Sequence, residues 1–334
     1  MVKQYTAVVI GCGSIGALKD DKYDTSVPPP IGGQHHVLTQ AHAFFDHPRI
    51  NLLGFVDKDE NKRLTAAEKW DALCCEDISC FSSPASPDII SVCTPTETHE
   101  RVLLDILKLN PLPKLVIAEK PFCENLQQAS WVSNQYKAAG VPILVDYIRR
   151  FDLITAFTLD KIKNGHYGKV YHARCLYGRG LKRDGCHAVD IFNWVFGSVQ
   201  GVMINHPGIT DYLPFDPSYT VRLEYKTCSE VYLVAVDSRA WGCFEIDFIT
   251  ERGVIRFVDW GKEMRVYKPE EETTFGQYKA LSPCAEVHRT NLHTALLYMV
   301  QNAVDFLDGN GPLLCTDNDA LNVHRIIEGI GGKK

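Results

Sequence analysis

The chain has 334 residues, 45% of them hydrophobic, and a formal net charge of -6. That much apolar sequence exceeds what one compact domain usually holds, so two domains are expected. Charges of both signs are spread along the chain. No Lys/Arg block points to nucleic acid, no single-sign run to a disordered tail, and no apolar stretch is long enough to span a bilayer.

The N-terminus runs directly into an apolar strand, Tyr5 to Ile10, with no signal-peptide cleavage pattern, so a soluble, cytoplasmic protein is expected. The strand is followed at once by Gly11-Cys12-Gly13-Ser14-Ile15-Gly16. A lone G-x-G-x-x-G is weak evidence, but after an N-terminal strand it has the context of a dinucleotide-binding turn. Glycine there lets the backbone approach a pyrophosphate, and a helix N-terminus favours the anion. Only a short helical stretch, Ser14 to Leu18, follows. Residues 19–36 contain Pro28-Pro29-Pro30 and cannot be one helix, which resumes near Thr39–Asp46. This insertion reads either as a lid beside the site or as a surface excursion. His35, His36 and His42 have no Cys or carboxylate at ligand spacing, so no metal is expected.

A second strand, Ile50 to Val56, ends at Asp57. A carboxylate at that strand end accepts both ribose hydroxyls of an adenosine and repels a 2′-phosphate, favouring NAD. Lys58 and Arg63 nearby keep NADP open. Helix is predicted over Glu60–Trp70, strand over Ile89–Cys93 and helix over Glu97–Leu109. A buried strand, Leu115 to Ala118, then runs into Glu119-Lys120-Pro121. A helix over Leu126–Ala139, stopped by Gly140, and a strand over Val141–Tyr147 complete the first half. This alternation predicts a doubly wound parallel sheet. Ligands of such sheets bind beyond the carboxyl ends of the strands, which makes Lys120 a site candidate, with simple pairing to Glu119 as the plainer reading.

The second half has a different texture. After a helix near Ile154–Asn164, strands are predicted near Lys169–Tyr177, Tyr219–Tyr225, Val231–Val236, Phe244–Thr250, Val254–Val258 and Glu263–Tyr267. Helices are predicted near Val189–Phe196, Asn291–Leu307 and Asn318–Ile330. Several strands alternate apolar and polar residues, which suggests a largely antiparallel sheet with one face packed on helices. Domains of 1–148 and 149–334 are expected, with a return of the C-terminal helix to the first domain left open. The twelve cysteines include no C-x-x-C pair and several fall in core segments, Cys93, Cys175 and Cys243 among them. Reduced structural thiols are expected throughout.

Five segments now stand in order: the glycine loop, Thr94-Pro95-Thr96-Glu97-Thr98-His99, Glu119-Lys120-Pro121, Tyr147-Ile148-Arg149-Arg150-Phe151 and Gly185-Cys186-His187-Ala188-Val189-Asp190. Together with Gly311-Pro312 and Thr316-Asp317-Asn318-Asp319-Ala320, they resemble the glucose–fructose oxidoreductase / inositol dehydrogenase / MocA family over nearly the whole chain. The resemblance implies an α/β Rossmann domain, then an α+β domain with an open, mainly antiparallel sheet that often forms an oligomer interface. It implies NAD(P)-dependent oxidation or reduction at a sugar or cyclitol hydroxyl carbon. It carries cofactor contacts onto Gly11, Cys12, Gly13, Ser14, Ile15, Gly16, Asp57, Lys58, Thr94, Pro95, Thr96, His99, Glu119 and Lys120.

In that chemistry Lys120 takes or gives the hydroxyl proton, or stabilises an alkoxide as an ammonium. His187 shares the proton or orients the substrate, with a structural helix-start role as its alternative. The family's fuller motif has an Asp four residues before that His. Here the position is Arg183, and Asp184 follows one residue later, either supplying the carboxylate from a shifted backbone or leaving a different relay. Some sugar-modifying members resemble the run Tyr177-Gly178-Arg179-Gly180-Leu181, which implies substrate contacts from Tyr177 and Arg179. Asp190 is placed on the substrate side with them. Arg149, Arg179 and Arg183 suit an anionic group such as a nucleotide diphosphate, or else serve as surface partners. Competing with a sugar or nucleotide-sugar oxidoreductase are a catalytically degenerate dinucleotide-binding regulator and a reductase of a non-sugar carbonyl.

Overall fold

The computed structural model describes residues 4–22, 36–82, 86–272, 274 and 276–332. Most of the 19–36 insertion, His35 included, lies outside the described residues. The chain divides into two compact units, residues 1–151 with 293–321, and residues 152–292 with 322–334.

The first unit opens with β1 (Tyr5–Ile10). A π turn at Ser14–Leu18 and a 3-10 turn at Lys19–Lys22 follow in place of a full helix. Then come α1 (Gln40–Asp46), β2 (Ile50–Val56), α2 (Glu60–Trp70), β3 (Leu73–Cys75), β4 (Ile89–Val92), α3 (His99–Ile106), β5 (Leu115–Glu119), α4 (Leu126–Ala139) and β6 (Ile143–Asp146). The helices start where side chains cap them. Thr39, Asp59 and Asn125 each accept the backbone N–H three residues on, which satisfies a donor the helix itself cannot. Gly140, at φ +70°, ends α4.

The six strands run parallel in the order β3-β2-β1-β4-β5-β6. This is the dinucleotide-fold order, and it reverses between β2 and β4 on either side of β1. The central strands are apolar throughout because both of their faces are covered: Ala7, Val8 and Val9 of β1, and Leu115 to Ala118 of β5, have no solvent exposure. At about 25 cal/mol per Å² of apolar surface, each buried Val, Leu or Ile among them stabilises the layer by roughly 1.5–3 kcal/mol, and the alanines by less. β3 was not expected, since its three residues are too few to carry a period.

In the second unit α5 (Leu153–Lys163) starts at the Asp152 cap, whose carboxylate accepts the Thr155 N–H. It is followed by β7 (Val170–Tyr177), a π turn at Leu181–Gly185 and α6 (Cys186–Phe196). The strands β8 (Val199–Ile209), β9 (Ser218–Tyr225), β10 (Val231–Ala235), β11 (Phe244–Thr250), β12 (Gly253–Val258), β13 (Glu263–Tyr267), β14 (Pro269–Glu271), β15 (Lys279–Leu281) and β16 (Glu286–Arg289) come next. Eight strands form one sheet, β16-β13-β12-β11-β7-β10-β9-β8, antiparallel except for the parallel β7–β10 pair. The periodicities did not indicate β8, which mixes apolar and polar residues and is irregular in register, or the short β14 to β16. The chain then returns to the first unit with α7 (Ala295–Leu307), and α8 (Asp317–Gly331) begins in the first unit and ends in the second. Among the described residues no helix is long and apolar enough to cross a membrane.

One expectation fails here. Cys75 and Cys80 form a disulfide, so the thiols are not all reduced. The end of β3 and the 3-10 turn Ile78–Phe81 bring their Cα atoms to 6.6 Å, within disulfide range. Neither element was expected from the sequence, so nothing there suggested that the pair would meet.

Candidate active site

A cavity of about 620 Å³ opens in the first unit at the carboxyl ends of β1, β2, β4 and β5. Gly11, Gly13, Ser14, Ile15, Asp57, Lys58, Thr94, Pro95, Glu119 and Lys120 lie on its wall. It sits at the strand-order reversal, where open α/β sheets bind ligands.

The glycines differ in what they do. Gly11 has φ +97°, and a Cβ there would lie 2.7 Å from the Cys93 carbonyl and the Thr94 nitrogen. A Cβ on Gly16 would stand 1.8 Å from the Gly11 oxygen. Both therefore hold the loop closed upon β4, and Gly16 is absent from the cavity wall. Gly13 is the opposite case. A Cβ on it would meet nothing within 4 Å, because the space beyond it is the cavity. Such a bare backbone facing an open volume is what close approach of a pyrophosphate requires.

Asp57 is oriented by the loop it serves. Its Oδ2 accepts the Cys12 N–H at 2.7 Å, and Oδ1 accepts the Asp59 N–H at 2.9 Å. Each oxygen keeps acceptor capacity for a ribose hydroxyl. Cys12 contributes that N–H and is itself wholly buried. Its thiol is pushed up to about 12, by burial first and by the Asp57 charge second, and it is a structural filler rather than a cofactor contact. These features fit a dinucleotide: a bare-backbone cradle, a fixed carboxylate at the second strand end and a lysine on the same wall.

His99 also departs from its expected cofactor role. It is fully buried, with Nδ1 3.1 Å from the Phe122 carbonyl oxygen and Nε2 2.8 Å from that of Thr94. The ring thus ties the turn after β4 to the turn after Lys120. Thr96 is off the wall and Thr98 is on it. Further wall residues were not anticipated: Lys62, Glu76, Asp77, Ile78, Cys93 and Arg101. Glu76 to Ile78 lie inside the Cys75–Cys80 loop, so the unforeseen β3 carries them. Arg101 and Lys62 lie on the first turns of α3 and α2, and helix-start cations carry no signal of a site on their own.

Glu119 ends β5, and Lys120 follows it directly. Beside them Asp146 ends β6 in register with Glu119. The Gln40 amide on α1 donates to both carboxylates, at 3.0 Å to Asp146 Oδ2 and 3.3 Å to Glu119 Oε1. Burial, and then the Glu119 charge, push the Asp146 carboxyl well above its ordinary range. The Cys93 thiol is also raised, again by burial first and then by Glu119. Neither Gln40 nor Asp146 was expected at the site. Arg149, in the turn Ile148–Phe151, is half-buried and off the cavity wall. Its neighbour Arg150 donates to the Leu314 carbonyl at 2.8 Å and pairs with Asp319 at 3.2 Å, which fixes the Thr316–Asp319 motif against that turn.

The second unit brings the other expected residues together around the turn after β7. His187 lies in the first turn of α6, buried, edge-on to the Phe244 ring at 6.2 Å between centroids. Asp184 is also buried, and its two oxygens accept the Arg179 fork at 2.8 and 3.1 Å. Arg179 sits at φ +60° with its guanidinium 4.8 Å from the Trp260 ring, and Arg183 lies 4.7 Å from the Tyr212 ring. Two further left-handed non-glycine residues, Asp259 and Trp260, flank that pair. Such backbone persists only where surrounding contacts over-determine it. The Asp211 carboxylate, for example, accepts the Arg179 N–H at 3.0 Å. Asp190 is buried one turn along α6 from His187.

Tyr177 does not take its expected substrate role. It has no exposure. Its hydroxyl donates to the Tyr219 carbonyl at 2.9 Å and accepts the Tyr219 N–H at 2.7 Å, so it cross-links the sheet. Among the described residues no group of three or more His, Cys, Asp or Glu could hold a metal ion. His42 lies instead between Asp20, at 3.4 Å, and Asp46, at 3.2 Å.

Fold and cavity together define a dinucleotide-binding Rossmann protein. Residues 31–147 match the family model GFO_IDH_MocA, described as "Oxidoreductase family, NAD-binding Rossmann fold". A curated relative, D-glucoside 3-dehydrogenase of Escherichia coli K12, is 26% identical over 165 residues. The match covers 48% of this chain, which thus spans 45% of the length of that relative.

Solved structures share the fold across almost the whole chain. The WlbA dehydrogenase of Bordetella pertussis, in complex with NADH and UDP-GlcNAcA, gives a TM-score of 0.76 at 14% identity, covering 99% of this chain and 96% of that one. UDP-N-acetylglucosamine 3-dehydrogenase GnnA of Acidithiobacillus ferrooxidans gives 0.72 at 13% identity, with 99% and 97% covered. An oxidoreductase of Agrobacterium radiobacter in complex with NAD+, L-tartaric acid and magnesium gives 0.71 at 15% identity, with 98% and 95% covered.

Proposed function

We propose that the protein is an NAD-dependent oxidoreductase acting on a hydroxyl or keto carbon of a sugar or sugar derivative, a nucleotide-linked sugar in particular. The observation that carries this reading is the shared wall of the first unit's cavity, where the bare glycine loop, Asp57 and Lys120 line one volume. NAD, when bound, takes up or supplies the hydride. Asp57 holds the adenosine ribose and repels a 2′-phosphate, while Lys58 and Lys62 on the same wall leave NADP a weaker option.

In the oxidative direction Lys120 takes the substrate's hydroxyl proton, and in the reductive direction its ammonium returns one. Glu119 supplies the compensating negative charge next to it. His187 assists in proton handling. Asp184 acts together with Arg179 as a pair, so its part is to hold that arginine rather than to accept a proton. Arg183 is the anion-facing candidate of the second unit and Arg149 that of the first, while Arg179 is engaged by Asp184. The nucleotide-linked substrate class is supported by the sugar nucleotides named for two of the similar structures and by the glucoside named for the curated relative. Self-association through the eight-stranded sheet belongs to the same reading, since Tyr171, Met203 and Val287 stand half-exposed or more on its strands. Sedimentation velocity giving only monomer would remove that part.

Calorimetric titration with NADH and NADPH tests the cofactor, and NADH is expected to bind more tightly. Binding of neither ends the proposal. Lys120→Ala should keep NADH binding and lose about 10²–10⁴-fold in turnover against a panel of glucosides and sugar nucleotides. Turnover unchanged by that substitution would take Lys120 out of the mechanism.

A further inference from the structure

The end of β6 holds a carboxylate that the proposed reaction does not yet use. Asp146 is 3% exposed and faces Glu119 across adjacent parallel strands. The two acids share one amide donor, Gln40 Nε2. Asp146 Oδ1 is buried with no hydrogen-bond partner, as is Gln40 Oε1. Two ionised carboxylates bridged by a single amide in a buried site would repel each other, and one of them would keep an unsatisfied oxygen. A single proton removes both problems. It belongs on Asp146, because that group is the more deeply buried while Glu119 reaches the cavity wall beside Lys120.

We infer that Asp146 is protonated and is a positioning residue: its carboxyl O–H donates to Glu119 and, with Gln40, fixes that carboxylate beside Lys120. The direction of its titration agrees, since burial and Glu119 outweigh the opposing pull of Lys120 and Gln40. The raised Cys93 thiol leaves another neutral group facing the same pair. The consequence falls on Lys120. Two anions beside it would favour its ammonium form more than one does, and a single carboxylate leaves one negative charge to balance it. This inference rests on Lys120 as the group that handles the substrate proton.

Infrared difference spectroscopy of the intact protein at neutral pH, without substrate, tests the protonation independently of any turnover. A protonated-carboxyl band is expected in the wild type and should vanish in Asp146→Asn. No such band in the wild type overturns the inference. Should Asp146→Asn fail to fold, Glu119→Gln serves instead, because changing the acceptor should shift the same band. For positioning, Asp146→Asn keeps a neutral donor. It should leave the pH profile of kcat/KM in place, with a change within about threefold. Asp146→Ala, without a donor, should lower kcat by about tenfold or more and move the limb set by Lys120. A displaced limb in Asp146→Asn would mean that Asp146 is ionised and would overturn the inference. If Lys120→Ala keeps full turnover while the band is present, the functional reading fails and the protonated pair stands.

Discussion

The two units use their motif residues differently. In the first, most of the expected cofactor residues reach one cavity wall. Of the four that do not, Thr96 stands apart, while Cys12, Gly16 and His99 hold the wall in shape through contacts with backbone. In the second, Tyr177, Arg179 and Asp184 spend their polar atoms on each other or on the sheet. The difference lies in what each motif constrains. A glycine loop dictates the backbone path, and the path alone makes the site. A polar motif says only that certain side chains stand close in sequence. Whether they pair with one another, as Arg179 and Asp184 do, or with a distant strand, as Tyr177 does with Tyr219, is decided by the turn between them.

The sharpest way to break this comparison is to separate the glycines. Gly16→Ala puts a carbon where only the Gly11 oxygen fits, and that oxygen belongs to rigid backbone. We expect a loss of more than about 4 kcal/mol in stability, with no soluble NADH-binding species. Gly13→Ala should leave the melting temperature unchanged and weaken NADH binding, since its new carbon enters the cavity alone. Equal stability loss in both variants, followed by thermal unfolding, would mean that Gly13 does not face an open volume.

The next effect is smaller and lies in the second unit. Tyr177→Phe removes a hydroxyl that satisfies both an N–H and a C=O of Tyr219 within the sheet. Leaving both part-buried groups without that partner should cost about 1–2 kcal/mol in denaturant unfolding, with KM little changed. A raised KM at unchanged stability would restore the substrate role that the sequence suggested.

These cases mark how far the sequence could be read. The parallel sheet, its glycine turn, Asp57 and Lys120 were legible because alternating apolar strands and helices, with glycine and strand-end residues at fixed places, follow from local backbone rules. Gln40 and Asp146 were not. Gln40 reaches Asp146 across 106 positions of sequence, and nothing in either local pattern marks them as partners. The Cys75–Cys80 bridge and the wall residues Glu76 to Ile78 were hidden behind a three-residue strand. In the second unit the periodicities located most strands of the large sheet, but the pairing of Arg179 with Asp184 required the left-handed turn that the sequence does not announce.

The smallest effect compares the units through two histidines of opposite sign. His42, in the first unit, is raised above its ordinary 6.5 by the Asp20 hydrogen bond, against the opposing effect of burial. Asp20 stays ionised. Burial works to raise it, but hydrogen bonds from His42, Thr39 and Leu38 together outweigh that and hold it low. The clamp between the turn at Lys19–Lys22 and the start of α1 is therefore complete below pH 6.5 and is lost as pH rises through the raised value. His324, in the second unit, is lowered to about 4, by burial first, with Glu328 opposing and Lys182 adding to the shift. Its unfolded form binds a proton below 6.5 and its folded form does not, so stability falls as pH drops from 6.5 toward 4, by roughly 1 kcal/mol near pH 5.5. After correction for the intrinsic pH dependence of amide exchange, acidification from about pH 8 to 5.5 should thus raise protection around residues 36–46 and lower it along the second half of α8. His42→Gln should remove the first trend by a few tenths of a kcal/mol, the scale of a solvent-screened pair. His324→Gln should remove the second. Parallel trends in the two segments would show that the histidines do not titrate with the environments their contacts give them.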